Sequence, residues 1–123
     1  MQHGIKFLEL VDQARNNVVE CDLEFLHEVV LTKNKSYLII DVRDESEFMK
    51  GHVQNALHLS RGTIEVKIEK IIPEQGQKIL LYCGGGYRSI LAAESLGKMG
   101  YVNVMSVKGG MRAWNQNDYK LDR

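Results

Sequence analysis

The sequence predicts an α/β fold: a central, mostly parallel sheet flanked by helices on both faces, with an additional helix at the N-terminus. Two observations carry this expectation. The run Tyr37-Leu38-Ile39-Ile40, ending in Asp41, and the run Ile79-Leu80-Leu81-Tyr82, opened by Lys78 and ending in Cys83, are continuous apolar stretches. Strands covered on both faces of a parallel sheet read in this way, whereas half-exposed strands alternate. Around these runs, strand-like and helix-like segments succeed one another, the order expected of repeated strand-helix units. A length of 123 residues with 44% hydrophobic content suits one domain spanning 1–123, with residues 1–16 as a helical extension and 17–123 as the core. No repeat, low-complexity tract or linker divides it.

Taken in order, Phe7, Leu10, Val11 and Ala14 have the i, i+3, i+4, i+7 spacing of an amphipathic helix. Asn16-Asn17 interrupts it, Val18-Val19 forms a short strand, and Asp22 caps a helix whose inner face is Leu23, Leu26 and Val30. After the first apolar run, Asp44 and Glu47 stand three apart, the spacing of a capping box, and predict a short helix through Met49 that Gly51 ends. Ala56 to Leu59 is a weak strand. Ile64 to Ile68 alternates like a strand, but Ile64, Ile68 and Ile71 also share a helical face. Helix is preferred, because consecutive parallel strands require a crossover. Beyond Cys83 and three glycines, Arg88 to Met99 carries Ala92, Leu96 and Met99 on one face and closes at Gly100. Val102 to Val107 supplies a further strand, Gly109-Gly110 a turn, and Met111 to Asn115 a last short helix.

Composition removes several function classes. Sixteen basic and sixteen acidic residues cancel, so no broad field draws the chain to nucleic acid or an anionic membrane. No signal-type or spanning apolar run occurs, and a cytoplasmic protein is expected. The two cysteines, Cys21 and Cys83, form neither a CxxC pair nor a zinc set, and His27-Glu28 does not continue into HExxH, so no metal is expected. Neither GxGxxG nor GxxxxGK[ST] is present, and no cofactor is expected.

The chemistry concentrates at Cys83. A cysteine at the end of a buried strand, before a glycine loop and a helix start, is placed as an anionic nucleophile. Gly84, Gly85 and Gly86 can adopt backbone angles that turn successive N–H groups around one sulfur atom, and the positive end of the following helix favours a thiolate. The bland alternative is an inert buried cysteine beside a flexible turn. Three consecutive glycines at this junction argue against it, since each carries an entropic cost on folding. Arg88 at a helix start opposes the dipole, so it is read as a partner for an anionic substrate or as a loop brace.

The run Tyr82-Cys83-Gly84-Gly85-Gly86-Tyr87-Arg88-Ser89 resembles the active-site loop of rhodanese-domain proteins. Upstream, Leu38 to Arg43 with Glu47-Phe48 and Gly51-His52, and downstream, Gly109-Gly110-Met111-Arg112-Ala113-Trp114, are similar to the other two signatures of that family, and the likeness covers at least residues 36 to 116. The resemblance implies a rhodanese-like fold and a thiosulfate sulfurtransferase-like enzyme. Cys83 would take sulfane sulfur from thiosulfate or a persulfide and pass it to a thiol, cyanide or a protein sulfur acceptor. It further implies that residues 84 to 89 form the substrate loop, and that Asp41 and Arg43 support the site rather than react. His52 and His58 are expected to pack and to hydrogen-bond loops, Cys21 to be a small packing residue.

Two departures stand out. Gln54-Asn55 replaces a frequent Pro-Gly pair, and Gly84 stands where many members carry a basic residue. Arg61 either supplies that missing charge from across the pocket or is a solvated turn arginine. Two other functions use related features. Oxyanion phosphatases and arsenate reductases resemble C-x5-R, whereas Cys83 and Arg88 enclose only four residues, a loop better matched to a single sulfur. A non-catalytic binding module would not need Cys83 together with an open glycine loop.

Overall fold

The computed structural model describes residues 3–123; Met1 and Gln2, the first two residues of the expected N-terminal extension, lie outside the described residues. Six helices and seven strands follow in the order α1 (Ile5–Arg15), β1 (Val19–Cys21), α2 (Leu23–Leu31), β2 (Tyr37–Asp41), α3 (Glu45–Lys50), β3 (His52–Val53), β4 (Leu57–His58), α4 (Ile64–Ile71), β5 (Lys78–Tyr82), α5 (Arg88–Lys98), β6 (Val104–Val107), α6 (Gly110–Gln116) and β7 (Leu121–Asp122) among the described residues. Five strands form one parallel sheet in the order β1-β6-β5-β2-β4. No described helix is long and apolar enough to cross a membrane.

Period-two alternation along the central strands sends side chains to two separate cores. On one face Ile40, Ile79, Leu81 and Cys83 pack against Ile64 and Ile68 of α4 and Ala92, Ala93 and Leu96 of α5. On the other, Ile39, Leu80 and Tyr82 meet Leu26, Val29 and Val30 of α2 and Met111 and Trp114 of α6. Both faces are therefore covered, which is why β2 and β5 read as unbroken apolar runs. Each fully buried Ile or Leu in these cores contributes roughly 1.5–3 kcal/mol relative to exposure.

The expected α1 forms but buries a narrower stripe than its spacing suggested. Val11 and Ala14 pack on Ile90 and Leu91 of α5, while Leu10 is half exposed, because α1 leans on a helix and not on the sheet. The segment around Ile64 is helical, as the crossover argument required. Asp22 accepts a hydrogen bond from the Phe25 N–H at 2.9 Å, and α3 ends at Gly51. The pairing of β3 with β7 is a feature the sequence did not announce.

The sheet order positions the site. The chain leaves β2 toward β4 and leaves β5 toward β6, in opposite directions across the sheet, so a crevice opens at the carboxyl ends of β2 and β5. The register pairs Asp41 with Tyr82 there, one residue before Cys83. From the far side, the start of α6 closes on the same point: Met111 N–H donates to the Cys83 carbonyl at 2.8 Å and Arg112 N–H to that of Gly84 at 2.9 Å. Gly110, with φ +50°, allows this approach, because a Cβ there would land on the Cys83 carbonyl, 2.9 Å from its carbon and 3.0 Å from the Gly84 oxygen. Gly110→Ala is accordingly expected to cost about 2–3 kcal/mol in urea unfolding, through left-handed strain and overpacking together. A change within a few tenths of a kcal/mol would show that α6 can withdraw from the loop freely.

Candidate active site

Cys83 lies at the base of a cleft of about 740 Å³ whose walls include Arg43, Asp44, Glu47, Gly84, Gly85, Tyr87 and Arg88. The residue is 1% exposed. Its Sγ accepts hydrogen bonds from the backbone N–H of Gly86 at 3.1 Å and of Ser89 at 3.3 Å. Ser89 Oγ is 3.4 Å from the sulfur and 2.8 Å from Ser106 Oγ, a short buried chain behind the thiol. Only one of the three glycines thus supplies a donor to Sγ, and the second comes from the first turn of α5. The N-cap residue of α5, Tyr87, makes no side-chain capping hydrogen bond. The Cys83 sulfur occupies that role, taking one of the N–H groups that a helix start leaves without an intrahelical partner. Gly86 has φ +98°, the left-handed region that favours glycine, and a Cβ there would come within 3.1 Å of the Gly109 nitrogen.

Arg88 is held by Glu47 of α3, Nη1 to Oε1 at 2.8 Å and Nη2 to Oε2 at 3.3 Å. Glu47 also accepts the Asp44 N–H at 3.2 Å, so its capping role and its bridge across the cleft coexist. Arg88 keeps the Glu47 carboxyl below its ordinary 4.5, against the opposing effect of burial. A carboxylate with a lowered value stabilises the fold at neutral pH, and this contribution fades only as pH falls through the depressed value. Both side chains are about a third exposed, so solvent weakens the pair as a source of stability. Its consequence is positional. Gly84 leaves the guanidinium room, since a Cβ there would be 2.9 Å from Nη2.

Beneath the cleft, Asp41 and Arg43 form a buried pair. Arg43 Nε donates to both carboxylate oxygens at 3.0 and 3.1 Å, and Nη2 donates to Oδ2 and to the Gly51 carbonyl, each at 2.7 Å. Tyr82 Oη donates to Asp41 Oδ2 at 2.6 Å and accepts the Val53 N–H at 3.0 Å. Burial, and then the Asp41 charge, push the Tyr82 hydroxyl far above its ordinary value, so it stays protonated and donating. His58 Nε2 is 2.7 Å from the Arg43 carbonyl, and His52 stacks on Phe48.

Three placements differ from the emphasis of the sequence. Arg61 is not among the residues lining the cleft; its N–H donates to the Val42 carbonyl at 3.0 Å, and its Nε is buried without a hydrogen-bond partner among the described residues. Arg112, which has no role that the sequence alone marks out, does line the cleft and enters no ion pair among the described residues. His3, Gly4 and Phe7, from the segment that opens α1, form part of the wall as well. Cys21 lies on β1, where burial, with Asp22 adding to it, pushes its thiol up to about 11.

A protein-family model described as the rhodanese-like domain matches residues 28–117. The chain belongs to this family. A thiosulfate sulfurtransferase GlpE of Coxiella burnetii is 36% identical over 84 residues, covering 68% of this chain and 77% of the relative. Among solved structures, the polysulfide-sulfur transferase homodimer of Wolinella succinogenes superposes with a TM-score of 0.78 at 26% identity, covering 95% of this chain and 87% of that one. A protein of unknown function from Rhodopseudomonas palustris, described as a possible tyrosine phosphatase, superposes with a TM-score of 0.87 at 25% identity and 99% coverage of both chains. The rhodanese-like fold expected from the three signatures is thus the fold found. Residues 3 to 27, including α1, precede the segment matched by the family model.

Proposed function

We propose that this rhodanese-like chain is a cytoplasmic, single-domain sulfurtransferase that carries sulfane sulfur on Cys83. The observation that carries this reading is the Cys83 sulfur at the base of an open cleft, already accepting two backbone N–H groups. Such donors serve a thiolate and, after transfer, the persulfide built upon it. The Cys83 thiolate attacks the outer sulfur of thiosulfate; the donor S–S bond breaks, sulfite departs with the electron pair, and Cys83 holds a persulfide anion. A thiophilic acceptor then attacks the terminal sulfur, and the thiolate returns. With cyanide the product is thiocyanate; a small thiol or a protein thiol becomes a persulfide. The loop from Gly84 to Ser89 encloses the transferred sulfur, Arg88 braces that loop against α3, and Asp41 with Arg43 fixes the strand ends beneath it.

The likeness to the Rhodopseudomonas palustris protein raises the oxyanion phosphatase again. Two features speak against it: only four residues separate Cys83 from Arg88, and the Arg88 fork already holds Glu47. An arginine so occupied offers a tetrahedral oxyanion less than a free fork would. The sulfurtransferase reading is tested by incubating the protein with thiosulfate or a small persulfide and weighing it intact. One added sulfur atom, removed by cyanide with release of thiocyanate, is expected. An unchanged mass with every donor would overturn the reading in favour of a binding module.

A further inference from the structure

Thiosulfate is a small dianion, yet the cleft above Cys83 encloses about 740 Å³. That is within the range of roughly 300–1,000 Å³ typical of sites for drug-sized organic ligands. Two of its cations are already committed, Arg43 to buried Asp41 and Arg88 to Glu47. The remaining one, Arg112, is exposed at the rim. The wall that completes the cleft is aromatic. The His3 ring lies 5.0 Å from that of Tyr87 and 5.1 Å from that of Phe7, and Phe7 and Tyr87 are 6.3 Å apart with their planes inclined at 62°. Tyr87 belongs to the sulfur loop itself, whereas His3 and Phe7 come from the segment that precedes the family match. Three rings in the wall offer a lone inorganic dianion nothing, while Arg112, which enters no ion pair among the described residues, is left for an anionic group carried by a larger donor.

We propose that the segment bearing His3 and Phe7 is a specificity wall that selects an organic persulfide donor with a flat apolar body and a carboxylate, in preference to thiosulfate. This deepens the sulfurtransferase reading and rests on it. The apolar body lies against the rings of His3, Phe7 and Tyr87, and the carboxylate meets Arg112. The sulfane end reaches Cys83. There the Cys83 thiolate attacks the terminal sulfur of the donor R–S–SH; a new S–S bond forms at Cys83, the donor S–S bond breaks, and RS⁻ departs with the electron pair. The proton stays on the transferred sulfur, so no further oxidant or reductant enters. Packing an aromatic body on such rings, rather than leaving it in water, fits the offset and edge-on geometries that aromatic pairs prefer.

The test compares three donors on the full chain: thiosulfate, the persulfide of mercaptoacetate, and the persulfide of 4-(mercaptomethyl)benzoate. The aromatic carboxylate is expected to have the highest kcat/KM. Phe7→Ala and His3→Ala are each expected to lower it by about threefold to tenfold relative to the mercaptoacetate persulfide in the same variant, the scale of an aromatic contact. His3 precedes α1, so its variant leaves that helix intact, and circular dichroism melting checks that Phe7→Ala remains folded. A second arm measures binding of 4-(methylthiomethyl)benzoate, which carries no transferable sulfur, by calorimetry; saturable binding weakened by both variants is expected. Equal losses for all three donors, or no binding of the thioether, would overturn the specificity wall while leaving sulfur transfer intact. Failure of every donor to load Cys83 would instead defeat the sulfurtransferase reading, and the calorimetric arm would still decide whether the wall binds aromatic carboxylates.

Discussion

Cys83→Ser is expected to abolish both the sulfur adduct and turnover, whereas Cys21→Ser should leave them within about twofold of the parent protein. The difference follows from the surroundings of the two thiols. Cys83 stands where β5 gives way to the loop, with Gly86 and Ser89 N–H groups aimed at its sulfur and an open cleft above it. A serine oxygen can accept the same bonds but cannot form the persulfide, so the fold should survive while the chemistry does not. Cys21 lies in a short strand whose thiol is pushed up to about 11 by burial, aided by Asp22. At neutral pH nearly all of it is protonated, and the thiol is the poor form for attacking a sulfane sulfur. Peptide-level mass spectrometry after donor treatment separates the two sites. An adduct that persists in Cys83→Ser would move the sulfur-carrying role elsewhere.

The parts of the structure that were readable in the sequence are those with a local cause. β2 and β5 showed as apolar runs because α2 and α6 cover one face and α4 and α5 the other. Cys83 and its glycines were readable because a strand, a loop and a helix follow one another without interruption. Two-residue strands have no period to detect, so the β3 and β7 pairing left no trace in the pattern. The other omissions are contacts between residues far apart in the chain. Glu47 was legible as a cap because Asp44 is three residues away, but its bond to Arg88 spans 41 positions. The spacing of Phe7, Val11 and Ala14 announced an apolar face without saying that one end of it would border the cleft. Arg61 and Arg112 could not be ranked by composition, since only the turn of α6 toward Gly84 decides which guanidinium reaches the cleft wall.

The same logic sets the largest stability effect expected, at a residue that the proposed transfer does not use. Asp41→Ala should destabilise the protein by about 3–5 kcal/mol, because removing one partner leaves an uncompensated buried charge. Arg43 is 6% exposed and its guanidinium would retain only the Gly51 backbone carbonyl as an acceptor among the described residues, while Tyr82 would lose the acceptor of its 2.6 Å hydrogen bond. For a chain of this size the loss corresponds to a fall in Tm on the order of 10–20 °C. The variant Arg43→Met should also be destabilised, since it leaves the buried carboxylate without its cation, held only by the Tyr82 hydroxyl at 2.6 Å and the backbone N–H of residue 43 at 2.9 Å. The double variant, lacking both charges, should be less destabilised than the sum of the two, because the cost lies in leaving either charge alone. Any Asp41→Ala protein still folded at low temperature should load sulfur on Cys83 at a rate within a few fold of the parent, since the proposed transfer uses neither carboxylate oxygen. A thermally unperturbed variant that had nonetheless lost sulfur loading would make Asp41 a participant in the chemistry, and the support role assigned to the pair would have to be given up.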